Sequence, residues 1–209
     1  MTIGMIGSGN VGGALGSRWA KLGHQVVFGS RSPTEEGLKQ LVSRAGSTAR
    51  AADLQEAAQA GEVLVLATPW PATKEVLESL GGVPGKVLID ATNPLNASLG
   101  LEVGTTASGA ELVAGWARGA KVVKAFNTVG FNVMQNAAFG SDRPVMFYCG
   151  DDAGAKAVVR PLVESLGFEA IDAGPLAQAR VLEPFALLWI SLALAHGLGR
   201  DFAFKLLRR

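Results

Sequence analysis

The sequence predicts an α/β protein with a doubly wound, mostly parallel sheet and a C-terminal helical segment. The chain has 209 residues, of which 48% are hydrophobic and 18% charged, so it can bury a core of ordinary size. Short runs rich in Val, Ile and Leu alternate along it with stretches of helical period. These runs are apolar at nearly every position, as expected where helices cover both faces of a parallel sheet. The pattern therefore favours a β/α/β order.

Seven apolar runs are predicted as strands, at positions 2–6, 25–28, 63–67, 86–91, 120–126, 144–149 and 168–171. Between the first two runs, apolar residues recur at helical spacing, at Val11, Ala14, Leu15, Trp19 and Leu22. After the sixth run the same spacing is found at Ala155, Val158, Val159, Leu162, Val163 and Leu166. Both stretches are predicted as amphipathic helices.

The C-terminal end differs from the rest of the chain. We interpret 1–209 as a single domain in which 177–209 is a helical extension, and the segment 184–199 carries no formal charge. Its apolar run, 185–198, has about fourteen residues, whereas a membrane span takes roughly twenty, so no span is expected. An all-round apolar helix must be buried in the core or in a subunit interface, with an interfacial membrane contact as the lesser alternative. We therefore expect a homodimer that uses this helix.

Composition and charge exclude several classes of protein. The 19 basic and 18 acidic residues are scattered, so no basic face is available for nucleic acid. One cysteine excludes an intramolecular disulfide framework and a cysteine-based zinc site, and two distant histidines argue against a histidine metal site. The N-terminus has no basic start and no long apolar run, so a cytoplasmic protein is expected.

A glycine-rich motif follows the first predicted strand directly. The run Gly7-Ser8-Gly9-Asn10-Val11-Gly12 has the pattern Gly-x-Gly-x-x-Gly and opens the first predicted helix. Gly7 would permit the tight turn, Gly9 would let a pyrophosphate approach the backbone, and Gly12 would let helix and strand pack closely. The helix N-terminus would present free N–H groups to the anion. The motif predicts a dinucleotide site on a Rossmann fold.

The end of the second strand indicates which nicotinamide cofactor binds. About eighteen residues past Gly12, where an Asp or Glu would bond the ribose hydroxyls of NAD, the sequence has Ser30 and Arg31 instead. A hydroxyl donor and a guanidinium fork suit a 2′-phosphate, so NADP is the predicted cofactor.

Three loops are predicted to line the reaction site, because the crevice lies over the carboxyl ends of the strands beside the first. They are Thr68-Pro69-Trp70-Pro71, Thr92-Asn93-Pro94-Leu95-Asn96 and Asn127-Thr128-Val129-Gly130. None contains Asp, Glu, His or Lys, so the loops supply no side chain for general acid–base catalysis. A hydride transfer between two stacked rings demands less, because the cofactors carry the chemistry and the protein holds them face to face.

Three other residues could donate a proton, and we favour a structural role for each. Lys124 precedes its loop by two residues and is expected to point into or across the sheet, Tyr148 is the only tyrosine, and His196 falls in the apolar C-terminal helix. Asp151 and Asp152 are expected to cap the following helix rather than to catalyse. Arg180 remains open between a structural role and contact with an anionic acceptor.

The sequence resembles the NADPH-dependent reductases of the deazaflavin coenzyme F420 and the related cytosolic reductase domain of the STEAP metalloreductases. The resemblance covers nearly the whole chain and rests on the segments 6–12, 29–31, 68–70, 122–128, 149–152 and 171–176, together with Ala179 and Arg180. It implies that Ser30 and Arg31 hold the 2′-phosphate of NADP. It also implies that the loops at Pro69 and Trp70, at Asn127 and Thr128, and at Leu176 enclose the nicotinamide and the acceptor ring.

Two departures from the family pattern concern the acceptor. The metalloreductases continue into a haem-bearing membrane domain, so we expect this chain not to pass electrons across a bilayer by itself. The segment 90–96 is more similar to the metalloreductases than to the archaeal reductases. The acceptor could therefore be F420, FAD or FMN.

The predicted function is hydride transfer between NADPH and a flavin-like acceptor, F420 above all. The predicted cofactor-binding residues are Gly7, Ser8, Gly9, Asn10, Val11, Gly12, Ser30, Arg31, Thr68, Pro69, Trp70, Asn93, Asn127 and Leu176. No catalytic side chain is assigned, although Asn127 and Thr128 could line the reacting rings. The alternatives are an NADPH-dependent reductase of a small carbonyl or imine and a non-enzymatic NADP-binding sensor.

Overall fold

The computed structural model describes residues 1–209 and contains eight strands and eight α-helices. The strands are β1 Thr2–Ile6, β2 Gln25–Gly29, β3 Ala49–Ala52, β4 Val63–Leu66, β5 Val87–Asp90, β6 Lys121–Lys124, β7 Val145–Gly150 and β8 Glu169–Asp172. The helices are α1 Asn10–Lys21, α2 Glu36–Ala45, α3 Leu54–Ala60, α4 Trp70–Ser79, α5 Gly109–Trp116, α6 Phe131–Gln135, α7 Ala153–Ser165 and α8 Ala179–Leu194. A 3₁₀ helix, Leu176–Gln178, leads into α8.

All eight strands form one sheet in the order β3-β2-β1-β4-β5-β6-β7-β8. Every neighbouring pair is parallel except β6 and β7, which are antiparallel. The chain changes its direction of travel across the sheet between β1 and β4, which is the topological switch point where such folds bind ligands. The predicted α/β class, with a mostly parallel sheet and a C-terminal helix, is confirmed.

Alternate residues of the central strands enter two separate hydrophobic cores. Met5 and Val65 belong to a cluster of 29 buried residues on the side of α1 and α7, while Ile6 and Leu66 belong to a cluster of 21 on the other side. Both faces of the sheet are therefore covered, which explains why the strands are apolar at nearly every position.

Two strands differ from the prediction: β3 is not predicted by the sequence, and β6 is shorter than predicted. β3 has the sequence Ala-Arg-Ala-Ala, which contains no β-branched or aromatic residue, and it forms because it pairs with β2 at the edge of the sheet. β6 ends at Lys124 rather than at 126 because Phe126 adopts a positive φ of 64°, which turns the chain out of the strand.

The C-terminal segment is helical over only half of the predicted range. α8 ends at Leu194, and residues 195–209 contain no helix or strand. These residues return along the body of the protein, where the Trp189 indole donates to the Phe202 carbonyl and the Val145 amide donates to the Phe204 carbonyl. By length and composition alone, the helical stretch Leu176–Leu194 could cross a membrane, and 39% of it is buried inside the protein. The core helix of a soluble protein meets the same criterion.

Candidate dinucleotide and hydride-transfer site

The phosphate loop has the geometry that an anion-binding helix N-terminus requires. Gly7 has a φ of +112°, and a Cβ added at Gly12 would lie 2.1 Å from the Gly7 carbonyl oxygen, so both positions need glycine. A Cβ added at Gly9 would meet nothing within 4 Å, so the space above this residue is open. Gly9 is the N-cap of α1 and no side chain caps the helix, which leaves its first N–H groups free for a ligand.

A cleft of about 380 Å³ joins this loop to the ends of β2 and β4. Nine of the predicted cofactor residues line it, namely Gly7, Ser8, Gly9, Asn10, Val11, Ser30, Arg31, Thr68 and Pro69. Arg31 is exposed and forms no ion pair, while the Ser30 hydroxyl accepts a hydrogen bond from the Ser32 amide. The guanidinium of Arg31 is therefore free to meet an anionic group in the cleft.

A larger groove, about 730 Å³, lies on the other side of the same loop. It runs between α1 and α2 and is lined mainly by their polar residues, among them Arg18, Lys21 and Arg44. It contains neither Ser30 nor Arg31, and none of the residues of the loop 67–69 directly after β4. The smaller cleft is the better candidate for a dinucleotide, because it lies over the strand ends at the switch point.

The side chains that follow β4 point in two directions: one lines the cleft and another is buried in the core. Thr68 lines the cleft, and its hydroxyl lies 2.9 Å from the Thr73 hydroxyl. Trp70 begins α4 and does not line the cleft. Its side chain is buried, packs 5.5 Å from the Trp116 ring and donates to the Glu102 carboxylate at 2.6 Å. The structure therefore places Trp70 under the loop as support, not over the cleft as we expected.

The loops after β5 and β6 are joined by two asparagine side chains. Asn93 Nδ2 donates to the Asn127 carbonyl at 2.9 Å, and Asn127 Nδ2 donates to Asn93 Oδ1 and to the Leu182 carbonyl of α8, both at 3.2 Å. Thr128 is buried, and its hydroxyl lies 3.9 Å from the Met146 sulfur rather than at the reaction edge. Asn93 and Asn127 thus lie against each other, whereas the Thr128 hydroxyl faces the core.

Three charged residues form a completely buried network beneath these loops. Lys124 Nζ lies 2.9 Å from Asp90 Oδ2 and 2.9 Å from Glu183 Oε1, and it donates to the Thr92 carbonyl at 2.7 Å. The three side chains are at most 1% exposed. Burial lowers the pKa of the Lys124 ammonium, but the two carboxylates outweigh burial and raise this pKa above its ordinary value. Lys124 is therefore a charged structural residue.

The same network fixes the C-terminal helix to the sheet. Glu183, in α8, accepts from the Gly109 and Ala110 amides at 2.8 and 3.0 Å, where it stabilises the N-terminus of α5. Asp90 also accepts from the Thr92 amide and hydroxyl, at 2.9 and 2.7 Å. Sequence reasoning missed both carboxylates. The signal available was a lone Asp at the end of an apolar strand and a lone Glu at the start of an apolar helix.

The remaining candidates lie away from the open cleft. Leu176 is buried at the start of the 3₁₀ helix, and its carbonyl lies 3.7 Å from the Cys149 thiol, whose pKa burial raises to about 12. Arg180 makes two hydrogen bonds to Glu111, at 2.9 and 2.6 Å, and is therefore already paired. Asp152 caps α7 through the Ala155 amide, as predicted, whereas Asp151 does not cap this helix and accepts from the Leu176 amide at 2.9 Å.

The other two candidate proton donors are Tyr148, which is buried, and His196, which is exposed. Tyr148 is 4% exposed, and its pKa is raised, first by burial and then by the charge of Asp172. His196 is exposed and lies beyond the end of α8, not inside the helix as predicted.

Comparisons with known proteins point to one family. Residues 2–94 match the family model described as "NADP oxidoreductase coenzyme F420-dependent". The chain is 30% identical over 207 residues to the F420-dependent NADP reductase of Methanocaldococcus jannaschii, and the match covers 91% of each protein. It is also 30% identical over 185 residues to metalloreductase STEAP3 of Rattus norvegicus, but covers only 36% of that longer protein.

Solved structures show the same relationship. A candidate F420-dependent NADP reductase from Arthrobacter sp. FB24 superposes with a TM-score of 0.88 at 33% identity, with 99% of each chain covered. An imine reductase from Aspergillus terreus superposes with a TM-score of 0.68 at 20% identity. The match covers 63% of that enzyme and demonstrates a shared fold only. From its match to the archaeal enzymes along nearly its whole length, the chain belongs to the family of the F420-dependent NADP reductases, which are NADP-dependent oxidoreductases.

Proposed function

We propose that the protein transfers a hydride between NADPH and a flavin-like ring acceptor, coenzyme F420 being the favoured one. The observation that carries the proposal is the cleft between the phosphate loop and the ends of β2 and β4, which combines an open glycine backbone with an unpaired Arg31. Bound NADPH would supply the hydride. The protein supplies position, charge complementarity and exclusion of water.

The cofactor is held in this proposal by contacts along the cleft. The free N–H groups at the start of α1 bind the pyrophosphate, and Gly9 leaves room for its approach. Ser30 and Arg31 bind the 2′-phosphate, since no carboxylate at the end of β2 repels it. The nicotinamide then extends over the ends of β4, β5 and β6, where Asn93 and Asn127 meet.

The loops around the rings provide no proton donor, which favours hydride transfer between rings over reduction of a carbonyl or imine. Lys124 is fully buried and occupied by three acceptors, Tyr148 is buried, and His196 lies beyond α8. A carbonyl reductase needs an acid within hydrogen-bond reach of the substrate oxygen. None of the three side chains is free for that task.

The choice of F420 is supported by the named archaeal relatives, which match this chain over nine-tenths of their own length. The metalloreductase relatives are almost three times as long as the matched part, so the likeness to them supports the choice of acceptor less than the likeness to the archaeal enzymes does. FAD and FMN remain the alternative acceptors, because their rings accept a hydride in the same stacked arrangement.

Anaerobic oxidation of NADPH, followed by absorbance, tests the proposal directly. F420, FAD, FMN and a ferric chelate are offered in turn, with NADH as the control donor. We expect rapid turnover with NADPH and F420 and little with NADH. Tight binding of NADPH with no oxidation by any acceptor would instead indicate a sensor.

We also propose that the protein is a cytoplasmic homodimer that associates through α8. Val181 and Leu188 lie two turns apart on one face of this helix and are 62% and 49% exposed, so a second copy packed on this face would bury both side chains. The single cysteine is a buried free thiol, consistent with a reducing compartment. Sedimentation of a Val181→Glu, Leu188→Glu double variant should give a monomer, whereas Leu22→Glu, at an equally exposed leucine beyond α1, should leave the dimer intact.

A further inference from the structure

The groove between α1 and α2 is the larger of the two cavities that meet at the phosphate loop, and the proposed function does not use it. It has a volume of about 730 Å³ and is lined by 14 residues, of which only three are hydrophobic. Its lining residues on α1 run from Asn10 to Lys21, a rise of about 16 Å at 1.5 Å per residue. The groove is therefore long and polar, and a single small ion would fill little of it.

The groove carries an excess of positive charge. Arg18, Lys21 and Arg44 line it, and Glu35 is its only carboxylate. Lys21 and Arg44 are exposed and make no salt bridge. The net charge of the whole chain is only +1, so this excess is local to the groove. Anions are attracted to it over a distance of about 10 Å at ordinary salt.

One of the three cations is held in a fixed position. Arg18 Nη1 donates to the Gln135 carbonyl at 2.5 Å, and Nη2 donates to the Leu166 carbonyl at 3.4 Å. Gln135 ends α6 and Leu166 directly follows α7, so the guanidinium lies at the C-terminal ends of two helices, where a cation is stabilised. A guanidinium has five N–H donors, so others are left for a ligand. The groove therefore combines one preorganised cation with two unpaired ones.

The groove adjoins both parts of the proposed reaction site. Ser8, Gly9 and Asn10 line it and also line the dinucleotide cleft. Gln135, on its α6 side, ends a helix of five residues that begins directly after the loop 127–130. A chain attached to an acceptor ring near this loop can therefore enter the groove beside the bound cofactor.

We propose that the groove binds a long polyanionic chain attached to the acceptor ring, so that the protein selects its acceptor by this chain as well as by the ring. The inference rests on the proposed function and names the class of acceptor that the function leaves open. Coenzyme F420 carries such a chain, a phosphodiester followed by several γ-linked glutamates. FMN ends in a single phosphate, and FAD ends in a neutral adenosine. The glutamylated form of F420 therefore matches the charge and the length of the groove.

The test compares two acceptors that share a ring and differ only in the chain. F420 is compared with its precursor FO, which has the same deazaflavin ring but neither the phosphodiester nor the glutamates. Dissociation constants of both are measured by fluorescence anisotropy on protein saturated with NADP⁺, so that no hydride is transferred and the cleft is already filled. KM values of both are then measured with NADPH.

The variant Lys21→Gln, Arg44→Gln removes the two unpaired cations and leaves Arg18 with its helix contacts in place. Its matched control is Lys39→Gln, Arg118→Gln, which removes the same charge at two exposed residues outside the groove. NADPH affinity should be unchanged in both variants, because none of the four side chains lines the dinucleotide cleft.

In the wild-type protein we expect F420 to bind at least about tenfold more tightly than FO at low salt, since three cations face the chain. The groove variant should weaken F420 by about three- to thirtyfold and leave FO unchanged, whereas the control should behave as the wild type. Raising the ionic strength from about 0.05 to about 0.5 M should remove most of the preference for F420. Equal affinities of F420 and FO for the wild type, or equal losses of both in the groove variant, would overturn the inference.

Failure of the inference can be distinguished from failure of the proposed function. A protein that oxidises NADPH with F420 and FO at the same KM would keep the function and overturn the inference. A protein that prefers F420 to FO in binding but oxidises no NADPH would overturn the function and uphold the groove. If the double variant does not fold, Arg44→Gln alone replaces it, with an expected loss of about two- to fivefold for F420 only.

Discussion

The half of the site that follows β1 and β2 consists of glycine backbone and exposed side chains, whereas the half that follows β5 and β6 rests on charges that are almost completely buried. In the first half, Gly9 faces open space and Arg31 has no partner. In the second half, Lys124 has three acceptors and no exposure to solvent. The first half is built to receive an anion, and the second is built to hold two loops and a helix rigidly together.

This difference implies that substitutions in the two halves should fail in different ways. A change near Gly9 should weaken binding and leave the fold intact, because nothing in the protein depends on the space above it. A change at Lys124 should weaken the fold itself, since it leaves charges without partners in the interior. Affinity and stability therefore separate the two halves experimentally.

The largest expected effect is that of Lys124→Met. This change leaves the Asp90 and Glu183 carboxylates buried without their cation, and we expect the free energy of unfolding to fall by about 3 to 5 kcal/mol. Chemical denaturation of the variant and the wild-type protein measures this difference in the free energy of unfolding. The double variant Lys124→Met, Glu183→Gln should regain part of the loss, because one unpaired charge has been removed.

Lys121→Met is the matched control for this prediction. Lys121 lies on the same strand, but the two side chains of its salt bridge to Asp152 are 46% and 34% exposed, so its loss should change stability little. Equal destabilisation by the two variants would show that the buried network has no special role. The contrast between the two halves would then be wrong.

Arg31→Ala should affect binding without affecting the fold. The substitution removes a charge-assisted hydrogen bond to the 2′-phosphate worth about 1.5 to 3 kcal/mol, so NADPH should bind roughly 10- to 150-fold more weakly. NADH, which lacks that phosphate, should bind as before. Calorimetric titration of both cofactors decides the point, with Arg44→Ala, in the groove between α1 and α2, as the control. Equal losses for NADPH and NADH would contradict the assignment of Arg31.

The second and third glycines of the phosphate loop, Gly9 and Gly12, should respond in opposite ways. Gly9→Val places a branched side chain where the pyrophosphate must approach, so we expect at least about a tenfold loss of NADPH affinity with little change in stability. Gly12→Ala places a Cβ 2.1 Å from the Gly7 carbonyl oxygen and should destabilise the fold by about 1 to 3 kcal/mol. Unchanged affinity in Gly9→Val would mean that the loop is only a turn.

The residues that line the first half of the site can be predicted from the sequence because they are close together along the chain. The Gly-x-Gly-x-x-Gly spacing and the Ser30-Arg31 pair each lie at the end of a clearly apolar strand, so a short segment carries the whole signal. The strand order at the switch point also follows from the alternation of strands and helices. Trp70 shows the limit of this reasoning, because a position in the chain does not tell which way a side chain points.

The second half could not be predicted because its partners are far apart in the sequence. Asp90, Lys124 and Glu183 meet only once β5, β6 and α8 are assembled. Each of them alone is a common residue at the end of a strand or the start of a helix. β3 was missed for the same reason, since its four residues without β propensity become a strand only through their pairing with β2.

The smallest expected effect concerns the ion pair at the rim of the second half. The hydrogen bonds from Arg180 and Ser108 lower the pKa of Glu111 from 4.5 to about 2. Since the carboxyl pKa is depressed in the folded state, this pair stabilises the fold above pH 4.5 and the stabilisation is lost as the pH falls towards 2.

In Arg180→Met the pKa of Glu111, followed by carboxyl-resolved NMR, should return towards 4.5, and stability at neutral pH should change far less than in Lys124→Met. A loss as large as that caused by removing Lys124 would show that the rim pair belongs to the same cooperative network. The boundary between the buried and the exposed parts of the site would then have to be moved outward to include α5.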